Sequence, residues 1–130
     1  TDLVKAKARL DAAYNDAQGL TAEFNKNVLR VINRELGGTF RLDRFEHVAF
    51  FHEERSRIEM HLRAVERHAA RIDSLDLEVE FDEGETILTE ISRKFTRASV
   101  EALYGSARLS MEGWHTPADE AFAISVARRA

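Results

Sequence analysis

The chain contains no cysteine, which excludes disulfides, thiolate nucleophiles and cysteine-ligated zinc. Proline occurs once, at Pro117, and only six glycines are present, so no Pro- or Gly-rich linker divides the 130 residues. No apolar run approaches the roughly 18 residues that could span a bilayer, and a membrane role is not expected. Positive charge is not in excess. Nineteen Lys and Arg against 23 Asp and Glu leave a formal charge of −4, and the basic residues are scattered rather than gathered in a stripe. Nucleic acid is therefore not an expected partner. The amino-terminal Thr1-Asp2-Leu3-Val4-Lys5 has neither an initiator Met nor the apolar stretch of a secretory signal. It reads as a cut within a longer protein, with Thr1 to Val4 the tail of a strand, and the lack of targeting signals gives a cytoplasmic setting as the expectation.

What is there is a composition of 44% hydrophobic and 32% charged residues, enough for one soluble domain with its own core. Between Lys5 and Ala17, Leu10, Ala13, Tyr14 and Ala17 recur at helical spacing. Gln18-Gly19-Leu20 interrupts that helix. Thr21 is then placed to cap a second one, with Glu23 in its first turn, a stripe of Phe24, Val28, Val31, Ile32 and Leu36, and Gly37 as its left-handed stop. A short helical turn is expected around Leu42 to Phe45.

From His47 the apolar period falls from 3.6 to 2, the mark of strands. His47 to Phe51 is one strand, His52 to Arg55 a turn, and Ile58, Met60, Leu62 and Ala64 alternate with polar residues in the next. Leu75, Leu77, Val79 and Phe81 alternate similarly, and Asp82-Glu83-Gly84-Glu85 predicts a hairpin into Thr86 to Ser92. Thr96 caps a third helix through Val100, Leu103 and Tyr104. Leu109, Met111, Phe122, Ile124 and Val126 mark two closing strands around Thr116-Pro117-Ala118-Asp119. Helices segregated from antiparallel strands make the fold class α+β.

The five histidines, 47, 52, 61, 68 and 115, show no metal-ligand spacing and are expected on solvated strand faces or at turns. The acidic residues from Asp73 to Glu85 alternate with apolar ones, as on a wet strand face, and lack a calcium-loop pattern. Neither supports a metal site. No glycine-rich nucleoside loop, G-x-S-x-G elbow or nucleophile–base pair is present, so no catalytic residue and no cofactor-binding residue is assigned. The strand Thr86 to Ser92 is the exception to this blandness. Simple alternation puts Glu90 and Ser92 on one face with Leu88, and Ile87, Thr89 and Ile91 on the other. A carboxylate beside a hydroxyl can supply one partner to each nitrogen of an imidazole, although a solvated edge strand explains the same pattern. Met60 reads as core filler and Tyr14 as a core aromatic with its hydroxyl at the rim.

Several ordered blocks resemble a known family: Tyr14 to Asn27, Val28 to Gly37, Phe45-Glu46-His47-Val48-Ala49, Arg57 to Arg63, Leu75-Asp76-Leu77, Gly84-Glu85 and Thr89-Glu90-Ile91-Ser92-Arg93-Lys94-Phe95. Together they are similar to the histidine-specific S-adenosylmethionine-dependent methyltransferases, the histidine N-alpha-methyltransferases of ergothioneine biosynthesis. The resemblance covers nearly the whole chain. It implies a Rossmann-like core that binds S-adenosylmethionine, a second domain that closes over histidine, and trimethylation of the α-amino group to hercynine.

On this resemblance residues 1–20 would be a core remnant with a connecting helix, 21–92 the histidine-recognising domain, and 93–130 the last helix and strands of the core. Glu90 and Ser92 would bind the imidazole, Met60 would pack on the ring, Tyr14 would contact the carboxylate or its water, and Thr21 would help position the amino end. The family's glycine-rich cofactor loop and adenosine-binding acid would precede Thr1, so the chain alone is expected to be inactive. Gly113-Trp114-His115-Thr116 departs from a pair of tryptophans expected there. Exposed strand edges of such a partial core invite pairing with a second copy. A stand-alone amino-acid-binding or interaction module is the alternative reading.

Overall fold

A computed structural model describes residues 1–130. Three helices, α1 (Lys7–Tyr14), α2 (Leu20–Leu36) and α3 (Arg97–Ser106), accompany seven strands: β1 (Phe45–His52), β2 (Arg57–Ala64), β3 (His68–Ile72), β4 (Leu77–Phe81), β5 (Thr86–Arg93), β6 (Leu109–His115) and β7 (Ile124–Arg129). All strand pairs are antiparallel, in sheets of order β1-β2-β5, β3-β4 and β6-β7. The α+β reading therefore holds.

The β1-β2-β5 sheet organises the molecule. Ile58, Met60, Leu62 and Ala64 of β2 pair with Phe51, Ala49, His47 and Phe45 of β1, and paired residues share a face. That inner face carries two apolar clusters. Leu29, Phe40, Phe45, Leu62, Ala64, Ala70, Ile72 and Phe81 fill the space under α2 and the β3-β4 hairpin, while Leu10, Ala49, Phe51, Ile58 and Met60 pack beneath α1. The outer face is lined by charge, with Arg63 on Glu46 and Arg57 on Glu59.

The β1-β2 and β3-β4 hairpins use the same turn. A single 3-10 turn, Glu53–Arg55 or Asp73–Leu75, is closed by a left-handed residue, Ser56 or Asp76. The turn expected at His52 to Arg55 is thus present. The short helical turn appears at Leu42–Arg44, the Gly37 stop appears with φ +64°, and Thr96 caps α3 reciprocally with Ser99.

Four expectations are corrected. The hairpin predicted between Leu75–Phe81 and Thr86–Ser92 does not form: β4 pairs with β3, a strand that lacks an obvious alternating signature, and β5 crosses to β2. The turn Asp82–Glu85 instead docks on the end of β2, with the Gly84 amide on the Ala64 carbonyl and the Ala64 amide on that of Glu85. The first helix is shorter than expected and buries only Leu10. Thr21 is not the cap of α2. Gly19 occupies that position in a left-handed conformation, and the Asp16 carboxylate takes the amides of Leu20 and Thr21, each at 2.8 Å.

The expected stripe of α2 is also rotated, and of its residues only Ile32 packs against the core. Phe24 is 65% exposed and Val28, Val31 and Leu36 are exposed too, whereas Asn25 and Leu29 face the sheet. The sheet contacts the face beside that stripe, where Leu29 is buried and Asn25 meets His47, the His61 carbonyl and Thr89. Among the closing segments, Phe122 lies before β7 and bridges to Asp2. Thr1 to Val4 pairs as an extended segment, with Leu3 bridged to Phe95 and mutual hydrogen bonds between Thr1 and Ala123.

Candidate functional site

The inner face of β5 is set by a bulge. Met60 pairs with Glu90 and Ile58 with Ser92, but His61 pairs with Leu88, so Thr89 is the extra residue. This corrects simple alternation: Glu90 and Ser92 share the inner face with Ile87, opposite Leu62, while Leu88 turns outward beside His61. Thr89 is held from both sides, its Oγ1 lying 2.5 Å from Asn25 Oδ1 and 2.9 Å from the Met60 carbonyl.

Asn25, only 3% exposed, is the hub beneath α2. Its Nδ2 donates to the His61 carbonyl and to His47 Nδ1, both at 2.9 Å. His47 Nε2 then donates to the Tyr14 carbonyl at 2.8 Å, which leaves Nδ1 to accept from Asn25. His47 is therefore a half-buried structural link between α1 and α2, and not the solvated residue that strand position suggested.

Tyr14 closes the other side of the site. Its ring packs on the cluster containing Met60, and its hydroxyl donates to Ser92 Oγ at 2.9 Å. Lys94, whose side chain is 1% exposed, donates to Tyr14 Oη and Ser92 Oγ at 2.8 Å each and to Asp2 Oδ2 at 2.6 Å. Its ammonium also lies 4.9 Å from the Tyr14 ring centre. Burial acts against the charge on Lys94, but the bonds to Asp2 and Tyr14 outweigh it and hold the ammonium above its ordinary pKa. Asp2 is likewise desolvated, yet Lys5 and Lys94 keep its carboxyl below the usual range.

The structure thus brings four of the expected residues together: Tyr14 bonds Ser92, packs near Met60, and Met60 stands opposite Glu90. Thr21 stands apart. Its amide and hydroxyl bind Asp16, whose carboxyl falls to about 2 chiefly through the Thr21 hydroxyl. An open cavity of about 210 Å³ lies over Glu90, lined also by Phe24, Asn25, Asn27, Val28 and Thr89. Sequence reasoning missed Asn25, His47, Asp2 and Lys94. Lys94 had a signal, since it follows Ser92 by two and period 2 returns to the same face. Asn25 had none, because nothing in a helical stripe marks a polar residue as buried.

No three His, Asp or Glu side chains converge as metal ligands. Nor do the glycines form a nucleoside cradle: Gly19, Gly37 and Gly84, the three with positive φ, sit at separate turns, and a Cβ on Gly37 would meet Asp73 at 3.3 Å. These turns therefore give no glycine-lined cradle for the nucleoside of S-adenosylmethionine.

A bonded polar set thus lies beneath two helices, beside a strand face that offers a carboxylate and a hydroxyl. The chain matches the family model "Histidine-specific methyltransferase, SAM-dependent" over residues 1–129, and it belongs to that family. It is 50% identical over 129 residues to the histidine N-alpha-methyltransferase of Mycolicibacterium smegmatis and 49% identical to that of Mycobacterium tuberculosis. Each match covers 99% of this chain and 40% of the relative, so the chain spans well under half the length of these proteins. No helix is long and apolar enough to cross a membrane.

Proposed function

We propose that this chain supplies the histidine-binding part of an S-adenosylmethionine-dependent enzyme that methylates the α-amino group of histidine. The observation that carries the reading is the β5 face, where Glu90 and Ser92 stand two residues apart above Met60 with the hydroxyl already engaged from behind by Tyr14 and Lys94. Glu90 accepts from one ring nitrogen, Ser92 meets the other, and Met60 and Tyr14 wall the ring. Tyr14 and Thr21 would lie toward the carboxylate and amino ends of the substrate. A ring without matching nitrogens leaves the Glu90 carboxylate and the Ser92 O–H without a partner, at about 1–3 kcal/mol per buried group.

On this reading residues 21–92 form most of the recognition unit, with Tyr14 and Lys94 completing it from the flanks. Residues 93–130, with α3 and the β6-β7 hairpin, belong to a Rossmann-like core, and Trp114 and the free strand edges are left to contacts with that core or with a second copy. This chain's contribution is orientation, which can account for a large share of the acceleration in a group transfer. The test is mass spectrometry of histidine incubated with S-adenosylmethionine and the whole protein that carries these residues. Successive additions of methyl groups at the α-nitrogen are expected. Unmodified histidine from a folded protein would end the proposal.

A further inference from the structure

The protons around Lys94 can all be placed. An ammonium has three donors and no acceptor, and here they go to Asp2 Oδ2, Tyr14 Oη and Ser92 Oγ. The Tyr14 hydroxyl accepts from Lys94 and donates to Ser92. Ser92 Oγ therefore receives two hydrogen bonds, which occupy both lone pairs of a hydroxyl oxygen. Only its O–H is left to give. Glu90, on the same strand face, has the opposite character, because an ionised carboxylate only accepts.

Resting on the reading of Glu90 and Ser92 as the ring-binding pair, we propose that Lys94 is a positioning residue that makes the site select neutral imidazole in a single tautomer and reject imidazolium. A neutral ring has one N–H and one lone pair, and these match Glu90 and Ser92 in one orientation. The imidazolium has two N–H groups, and the second meets a hydroxyl with no free lone pair. Glu90 alone favours the cation. The donor-only Ser92 with an ammonium behind it reverses that preference.

The surrounding charges do not alter this assignment. On the amino-terminal segment Asp2 is shared between Lys94 and Lys5. On α1 the facing group is Tyr14. On β1 it is His47, with both ring nitrogens occupied by Asn25 and the Tyr14 carbonyl. The inner face of β2 offers only Ile58, Met60, Leu62 and Ala64, and Arg57, Glu59 and His61 alternate to the other side.

The experiment binds ring-15N-labelled histidine to the whole protein at about pH 7.5 and pH 5.5, reading ring protonation by NMR and affinity by calorimetry. Wild type is expected to show one protonated and one bare nitrogen at both pH values. Its affinity should fall about tenfold at the lower pH, as the neutral fraction of a ring with pKa about 6.5 falls from about 0.9 to 0.1. Lys94→Met frees a lone pair on Ser92, so its bound ring becomes the cation at pH 5.5 and the fall shrinks to about threefold or less. Tyr14→Phe removes the other bond to Ser92 and should move both readouts the same way if Lys94→Met does not fold.

A wild-type ring bound as imidazolium overturns the proposal whatever the variants do, and so does a folded Lys94→Met protein with the wild-type ring state. Glu90→Gln separates the levels. If it leaves histidine affinity unchanged, the ring-binding assignment fails and the proposal with it. If it weakens binding while the wild-type ring is cationic, the assignment stands and only the role of Lys94 is lost.

Discussion

Met60 and Glu90 face each other across the β2-β5 pair, and the strand bulges at the adjoining Thr89. The bulge is what puts Glu90 and Ser92 on the inner face together with Ile87, and the single Thr89 hydroxyl proton is shared between Asn25 Oδ1 and the Met60 carbonyl. Thr89→Val keeps the shape and removes the hydroxyl. Loss of its bonds leaves Asn25 Oδ1 unpaired beneath α2, and a destabilisation of about 1–3 kcal/mol in urea denaturation is expected.

Asn25→Leu is the more severe change, because it strips partners from His47, the His61 carbonyl and Thr89 at once. A cost of about 3 kcal/mol or more is expected, against less than about 0.5 kcal/mol for Asn27→Ala at an exposed position of the same helix. Equilibrium unfolding of the two variants in parallel checks the contrast.

The rotation of α2 has its own test. Leu29, 2% exposed, belongs to the core, while the apolar Val31 is 37% exposed. Leu29→Ala should cost about 2–5 kcal/mol and Val31→Ala about 0.5 kcal/mol in thermal or chemical unfolding of the 130-residue chain. Equal costs would place the helix in the orientation its apolar stripe suggests.

That stripe shows where sequence reasoning stops. The 3.6 period in Phe24, Val28, Val31, Ile32 and Leu36 identified a helix and Gly37 its end, because both are local properties of the chain. Which side of the helix meets the sheet depends on Asn25 finding His47, His61 and Thr89 from three other elements, and no local pattern carries that. The strands β1 and β2 were legible because apolar alternation and a short charged turn agree. The β4-β5 hairpin was misread because Asp82-Glu83-Gly84-Glu85 is good turn chemistry that the fold uses to dock on β2 instead. Glu90 and Ser92 could be placed on one face from spacing, but their neighbour there is Ile87, since a bulge at Thr89 leaves no mark in the alternation.

Acid stability should report on Asp16. Its folded-state carboxyl is depressed to about 2 by the Thr21 hydroxyl and the amides of Thr21 and Leu20, against about 3.9 in an unfolded chain. Stability from this group is therefore present above pH 4 and lost as pH falls through about 2. Asp16→Ala should lower the melting midpoint at pH 5 by about 4 °C through loss of the helix-capping bonds. The difference from wild type should shrink toward zero as the pH approaches 2, which melting curves across that range measure.

On the proposed function Glu90 and Ser92 read the substrate ring, and calorimetric titration of histidine into the whole protein tests this most directly with Glu90→Ala and Ser92→Ala. Each variant should weaken histidine binding by about tenfold or more, corresponding to about 1.4 kcal/mol, while remaining folded. Wild-type affinity for histidine in a folded Glu90→Ala protein would contradict the account.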